Sequence, residues 1–244
     1  MQTRLIGGIL LVVGTSIGGG MLALPVATAQ EGFLGAVFLL FGAWIVMMLG
    51  ALLLLEVNLW FPKDSNIVSM ARATLGKPGE LIAWVSYLLL LYSLLSAYTS
   101  GGADVLTHFI LKKNIHLSSH FSALLFSVAL GSILYLGIQS TDYVNRALMS
   151  FKLLTFIILT TLIVPHVHYP WLVRFDPKYV ISSLTLVITS FGFASLVPTL
   201  RSYFDSDIQK ARKAIIIGSL IPLICYIVWI GVILGGLPLN GPNS

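Results

Sequence analysis

Gly14-Thr15-Ser16-Ile17-Gly18-Gly19-Gly20-Met21-Leu22-Ala23-Leu24-Pro25 interrupts an apolar segment otherwise long enough to cross a bilayer. Hydrocarbon offers no hydrogen bonds to an opened backbone, so such a break is tolerated only where it faces protein, water or a ligand. The stretch predicts a transmembrane segment broken at a binding site. A signal peptide does not fit, because the segment is too long, glycines and Pro25 replace a plain apolar core, and no convincing cleavage site follows.

The rest of the chain agrees that its solvent is lipid. It is 57% hydrophobic and 9% charged, with mean hydropathy +0.95, whereas soluble domains carry about a quarter charged residues. Nothing in the Pro, Gly or charge distribution marks a soluble domain or a long linker, so 1–244 reads as a single transmembrane domain. The lone cysteine, Cys225, excludes an internal disulfide.

Crossing about 30 Å of hydrocarbon takes about 20 helical residues. Seven segments meet or approach that length: 5–29, 33–61, 81–110, 121–141, 147–164, 179–204 and 214–237. The fifth is the shortest in uncharged residues and needs Lys152 inside its helix. Lys and Arg set the orientation. With the N-terminus cytoplasmic, the inner connections hold Arg4, Lys63, Arg72, Lys77, Arg146, Lys152, Arg201, Lys210, Arg212 and Lys213, and the outer ones only Lys112, Lys113, Arg174 and Lys178. The net charge of +5 therefore reads as topology. Nucleic acid binding would want a basic soluble surface with interleaved aromatics, and the sequence has none.

A second signal is an internal echo. Thr189-Ser190-Phe191-Gly192-Phe193-Ala194-Ser195-Leu196-Val197-Pro198 repeats the order Thr-Ser-x-Gly, small and apolar residues, then Pro. Paired Gly/Pro-interrupted spans point to the midplane site of an inverted-repeat transporter. Glycines also serve close helix packing, as in Gly-xxx-Gly contacts, and Gly14 and Gly18 have that spacing.

If the ligand at such a site is a zwitterion such as an amino acid, each of its charges needs a partner in the low-dielectric cavity. A helix restarting after Gly20 presents free N–H groups and a positive dipole end to a carboxylate, with Gly18, Gly19 and Gly20 admitting close approach. Carbonyls near Thr15, Ser190 and Phe191, at the opposite dipole ends, suit the ammonium, and Ser16 is counted with them among the substrate-binding residues. Gly192 opens the second break. Phe191, Phe193 and Tyr98 are the aromatic residues nearest the two breaks and would contact an aromatic side chain, although each also serves ordinary packing.

Ionisable residues within spans are functional candidates by default. Glu56 closes the second span, where capping also explains it; Asp104 sits near the end of the third; Asp142 and Arg146 have the i,i+4 spacing of a local ion pair. His116, His120, His166 and His168 fall in loops without the further ligands a zinc site needs. No HExxH, no phosphate-binding loop and no cofactor or metal motif is present, so an enzyme is not expected.

Taken together, Gly14 to Pro25, Leu52-Leu53-Leu54-Leu55-Glu56-Val57, Ala97-Tyr98-Thr99-Ser100-Gly101-Gly102, Asp142-Tyr143-Val144-Asn145-Arg146 and Thr189 to Phe193 with Val197-Pro198 resemble the bacterial hydroxy/aromatic amino acid permease family. The likeness runs in order from the first residue to about Leu237. It implies the amino acid–polyamine–organocation superfamily and an all-α, polytopic helical bundle with the leucine-transporter-like inverted-repeat fold. On that fold, 1–165 is the first five-helix repeat, 178–237 the first two helices of the second, and helices 1 and 6 are discontinuous. The implied function is secondary active transport of an aromatic amino acid, of the tyrosine or tryptophan class, by proton symport across the bacterial inner membrane. In proton-coupled members of the superfamily a fifth-helix lysine replaces a sodium ion, and Lys152 matches it; Glu56 and Asp104 are the alternative proton carriers. Two departures stand out. The family's sixth span carries His after Phe-Gly-Phe, where this chain has Ala194. Seven spans make only the N-terminal portion of the fold, so the chain alone is expected to insert without transporting, as a truncated remnant or a half that assembles with a separate C-terminal fragment.

Overall fold

Apolar residues dominate every long segment, and the regular backbone is helical throughout the described residues, 2–18, 20–111 and 118–236 of the computed structural model. Positions 2, 3, 109–111, 119, 138–143, 145, 146 and 149 are described by backbone alone. Gly19, Lys112, Lys113, His116 and the 237–244 tail lie outside the described residues, as do the side chains of Asp142 and Arg146.

The α-helices, in chain order, are α1 (Gln2–Ser16), α2 (Gly20–Thr28), α3 (Gly32–Leu59), α4 (Ile67–Leu111), α5 (Ser119–Tyr135), α6 (Ile138–Ile163), α7 (Tyr169–Leu172), α8 (Val180–Thr189), α9 (Val197–Tyr203) and α10 (Ile208–Gly236). Local chemistry sets several of the ends. Asn66 precedes α4, accepting from Ser69 N through Oδ1 at 2.8 Å while its own N–H donates to Ser69 Oγ at 2.9 Å, a reciprocal cap. Asp207 Oδ1 accepts from Lys210 N at 3.1 Å at the start of α10. Gly32 opens α3 at φ +83°, and a Cβ there would lie 2.2 Å from the Arg174 carbonyl oxygen, so both conformation and space require glycine. Gly76, at φ +72°, breaks α4 two residues before Pro78.

Among the described residues, four spans are long and apolar enough to cross a membrane: Gly32–Leu59, Ile67–His108, Pro177–Tyr203 and Ile208–Gly236. The bent pair α1 and α2 makes a fifth if counted as one. The expected spans 121–141 and 147–164 correspond to shorter apolar helices, His120–Tyr135 and Ser150–His166; α5 stops at Tyr135, just before Gly137 with its φ of +101°.

The chain divides into two units, Met1–Thr74 with Phe156–Ser244, and Leu75–Thr155. In the first, α10 lies against α1 and α3, while α2 and α3 lie against α8. Small residues permit this in place of a hydrophobic driving force: a Cβ on Gly218 would sit 2.7 Å from Val12 Cβ. Val12, Leu24, Leu40, Ile215, Tyr226 and Ile230 are wholly buried at its centre, and Trp44 Nε1 donates to Ser219 Oγ at 3.1 Å. In the second unit, Gly102 faces the Phe126 ring and Thr107 Oγ1 donates to Ser122 Oγ at 2.7 Å.

Candidate functional site

The two Thr-Ser-x-Gly stretches fold alike. α1 ends at Ser16 and α2 begins at Gly20, bent from it by 49°. α8 ends at Thr189, a 3₁₀ turn covers Gly192–Leu196, and α9 starts at Val197 with Pro198 in its first turn, where a missing N–H costs nothing. Thr15 Oγ1 donates to Leu11 O at 2.8 Å and Ser16 Oγ to Val12 O at 3.0 Å. Thr189 Oγ1 donates to Thr185 O at 2.9 Å and Ser190 Oγ to Leu186 O at 2.8 Å. All four hydroxyls fold back one turn, the local pairing these side chains offer in helices.

One side chain then joins the two stretches through equivalent atoms. The Tyr226 hydroxyl, on α10 and 0% exposed, lies 2.5 Å from Ser16 O and 3.0 Å from Ser190 O. Its single hydrogen is shared between the carbonyls that end the two helices. The Tyr226 ring meets Phe191 edge-on at 5.4 Å. The stretches also touch directly: a Cβ on Gly20 would lie 2.5 Å from Ser190 Oγ, 3.2 Å from its Cβ and 3.4 Å from its Cα. Opposite partial charges thus converge. The first N–H groups of α2 begin at Gly20, while Ser16 O and Ser190 O carry the negative ends of α1 and α8.

The structure brings together Ser16, Gly20, Ser190 and Phe191 from the expected set. Gly18 bends the first stretch, its N–H donating to Ser16 O at 2.7 Å, and Thr15 is exposed on α1. Phe191 and Phe193 are wholly buried in the core, whereas Gly192 between them is exposed with open space beside it. Tyr98 and Asp104, exposed on α4, and Lys152, half-buried on α6, belong to the second unit. Glu56 is half exposed and pairs with Arg212 at 2.9 Å.

Arg201, on α9 and 8% exposed, donates through Nη1 to the carbonyls of Asn58 and Phe61, the latter at 3.0 Å, and to Asn58 Oδ1 at 3.2 Å. It closes the end of α3. Nearby, Asp205 and Ser206 hold positive φ, and Asp205 accepts from Arg4 at 2.9 Å and Lys63 at 3.0 Å. Those hydrogen bonds, from Lys63 first and then Arg4, hold the Asp205 carboxyl below its ordinary range.

Sequence reasoning passed over Tyr226, Arg201 and Glu31. A tyrosine within an apolar helix needs a partner for its hydroxyl, which was the available signal for Tyr226. Arg201 was counted only toward topology. Glu31 follows α2 and is 0% exposed; Ser183 Oγ donates to its Oε2 at 2.7 Å, and its Oε1 has no partner among the described residues. Burial pushes the Glu31 carboxyl above the ordinary glutamate range, against the smaller opposing effect of Ser183.

The profile of the tryptophan/tyrosine permease family matches residues 1–241. The chain is 35% identical over 230 residues to the tyrosine-specific transport system 1 of Haemophilus influenzae, covering 93% of this chain and 57% of that protein. It is 30% identical to the glutamine transporter 2 of Aliivibrio fischeri, covering 98% and 63%, and 29% identical to the tryptophan-specific transport protein of Haemophilus influenzae, covering 96% and 59%. The chain thus spans about three-fifths of the length of these relatives. No solved structure matches.

Proposed function

The chain belongs to the tryptophan/tyrosine permease family, and we propose that it forms the substrate-binding part of a secondary transporter for an aromatic amino acid, coupled to protons. The observation that carries this reading is the meeting of two Thr-Ser-x-Gly stretches at Gly20, Ser190 and Tyr226. An α-carboxylate is assigned to the N-terminus of α2, with Gly18, Gly19 and Gly20 as the residues to test there. An α-ammonium fits the carbonyls at Ser16, Ser190 and Phe191. Gly192 offers the side chain an opening, and relatives named for tyrosine and tryptophan favour an aromatic one, with Thr15, Phe191, Phe193 and Tyr98 as the contacts to test.

On this reading the fold is the leucine-transporter-like inverted repeat, with α1 and α2 as its discontinuous helix 1 and α8 and α9 as its discontinuous helix 6. The multi-pass protein sits in a bacterial inner membrane with its N-terminus cytoplasmic. Lys152, Glu56 and Asp104 are the proposed proton carriers. The test is reconstitution in vesicles with labelled tyrosine and tryptophan under an imposed proton gradient. Saturable binding that is lost in Gly20→Val, with insertion intact, supports the site. A remnant without activity of its own predicts insertion with no saturable binding.

A further inference from the structure

α2 and α8 run antiparallel from their shared junction. At one end they are joined by Gly20 against Ser190; at the other, the turn after α2 is joined to α8 by Glu31 and Ser183. The second joint is unusual in its chemistry. Glu31 is a wholly buried acid in a turn, and among the described residues only one of its two carboxyl oxygens has a donor. Its backbone carbonyl is also engaged, accepting from Asp176 N at 2.9 Å, so the turn cannot swing to carry the carboxyl outward without breaking that bond.

The surroundings supply no compensating charge. α2, α8 and the first three turns of α3 contain no ionisable residue. The connections that pack nearby carry His166, His168, Arg174, Asp176, Lys178 and Tyr179. Of these, Arg174 is exposed, Asp176 Oδ1 accepts from Lys178 N at 3.1 Å, His166 Nδ1 faces Leu162 O at 3.3 Å, and the His168 ring meets Trp171 at 4.7 Å with the planes tilted by 38°. Among the described residues none forms an ion pair with Glu31. An ionised carboxylate with one oxygen left without a donor would be costly there. A protonated one is readily accommodated: Oε2–H donates to Ser183 Oγ, whose own hydrogen passes to Val180 O at 3.3 Å, and only a neutral carbonyl oxygen is left unpaired.

We propose that Glu31 is a proton-binding site, occupied while the turn after α2 is packed on α8 through Ser183 and emptied when that joint opens. Proton occupancy then biases how firmly α2 and α8 are paired, and so biases the amino acid site at their other end. That last step rests on the transport reading given above; the proton site itself does not.

The direction of the pH effect follows from the burial that raises this carboxyl. The joint is strongest with Glu31 protonated and weakens as pH rises through its native pKa. The test is infrared difference spectroscopy on the 244-residue chain in lipid nanodiscs, wild type minus Glu31→Gln, following the C=O stretch of protonated carboxylic acid against pH. The expected result is a band absent from the variant, with a midpoint above the ordinary glutamate value of about 4.3. Ser183→Ala, which removes the one donor to the carboxylate, should move that midpoint higher still. A midpoint at or below the ordinary value, or a midpoint unmoved by Ser183→Ala, overturns the proposal. Because the readout needs no substrate, failure of amino acid binding leaves this result interpretable, and failure here leaves the amino acid site standing.

Discussion

Gly20→Ala is the smallest change that tests whether the two broken stretches form one site. The added methyl would sit 2.5 Å from Ser190 Oγ, 3.2 Å from its Cβ and 3.4 Å from its Cα. The hydroxyl can rotate away only by giving up its 2.8 Å bond to Leu186 O, and the Cβ and backbone behind it cannot rotate at all. Overpacking costs about 1–3 kcal/mol and the lost hydrogen bond about 0.5–1.5 kcal/mol. If about 2–4 kcal/mol falls on the junction, affinity for tyrosine or tryptophan drops roughly 30- to 1,000-fold. Ser190→Ala alone loses only the one hydrogen bond, but in the double variant it removes the atom nearest the new methyl. Gly20→Ala with Ser190→Ala should therefore recover at least about tenfold of the lost affinity, a coupling of more than about 1 kcal/mol. The assay is equilibrium binding of labelled amino acid to protein in nanodiscs, with insertion checked in parallel. Wild-type affinity in Gly20→Ala, or strict additivity in the double variant, would refute the close approach of the two stretches.

Three further outcomes follow from the same geometry. Tyr226→Phe keeps the edge contact with Phe191 but removes the one side-chain hydroxyl joining Ser16 O and Ser190 O, so binding should weaken by about 1–3 kcal/mol, read as a raised Kd. Arg201→Gln leaves the Asn58 and Phe61 carbonyls without their charged donor and should lower stability by at least about 1.5 kcal/mol, seen as a lower Tm with substrate affinity changed less. Asp205, held below its ordinary range by Lys63 and Arg4, contributes stability that is present above the unfolded value near 3.9 and is lost as pH falls through the lower native value. The Tm difference between wild type and Asp205→Asn should therefore be flat near neutrality and close only in strong acid; closure near neutral pH contradicts the assignment.

Glycine and proline placement drew attention to both stretches, because a bilayer forbids breaks without a reason, and helices of the structure end there, at Ser16 and Thr189. The Thr-Ser-x-Gly echo marked the two stretches, but their direct contact at Gly20 and Ser190 comes from the structure. What joins them was not legible. Tyr226 lies 36 residues beyond Ser190 and 210 beyond Ser16, and nothing in local periodicity tells which carbonyl a buried hydroxyl will find. Phe191 and Phe193 drew attention as aromatics beside a break, and the structure turns both into the core. Arg201 and Glu31 were hidden by rules that treat charged residues near span ends as topology or solvated turns, since burial depends on the helices that pack across them.

The central claim is that an amino acid sits where the two stretches meet. Gly192 offers the most direct test, since it is exposed and a Cβ there meets nothing within 4 Å. With Cys225 replaced by serine, Gly192→Cys should accept a maleimide readily in the protein in nanodiscs. Saturating tyrosine or tryptophan is predicted to slow that reaction in proportion to occupancy, and Gly20→Val to abolish the protection. A reaction rate unchanged by either amino acid would contradict the placement of the site.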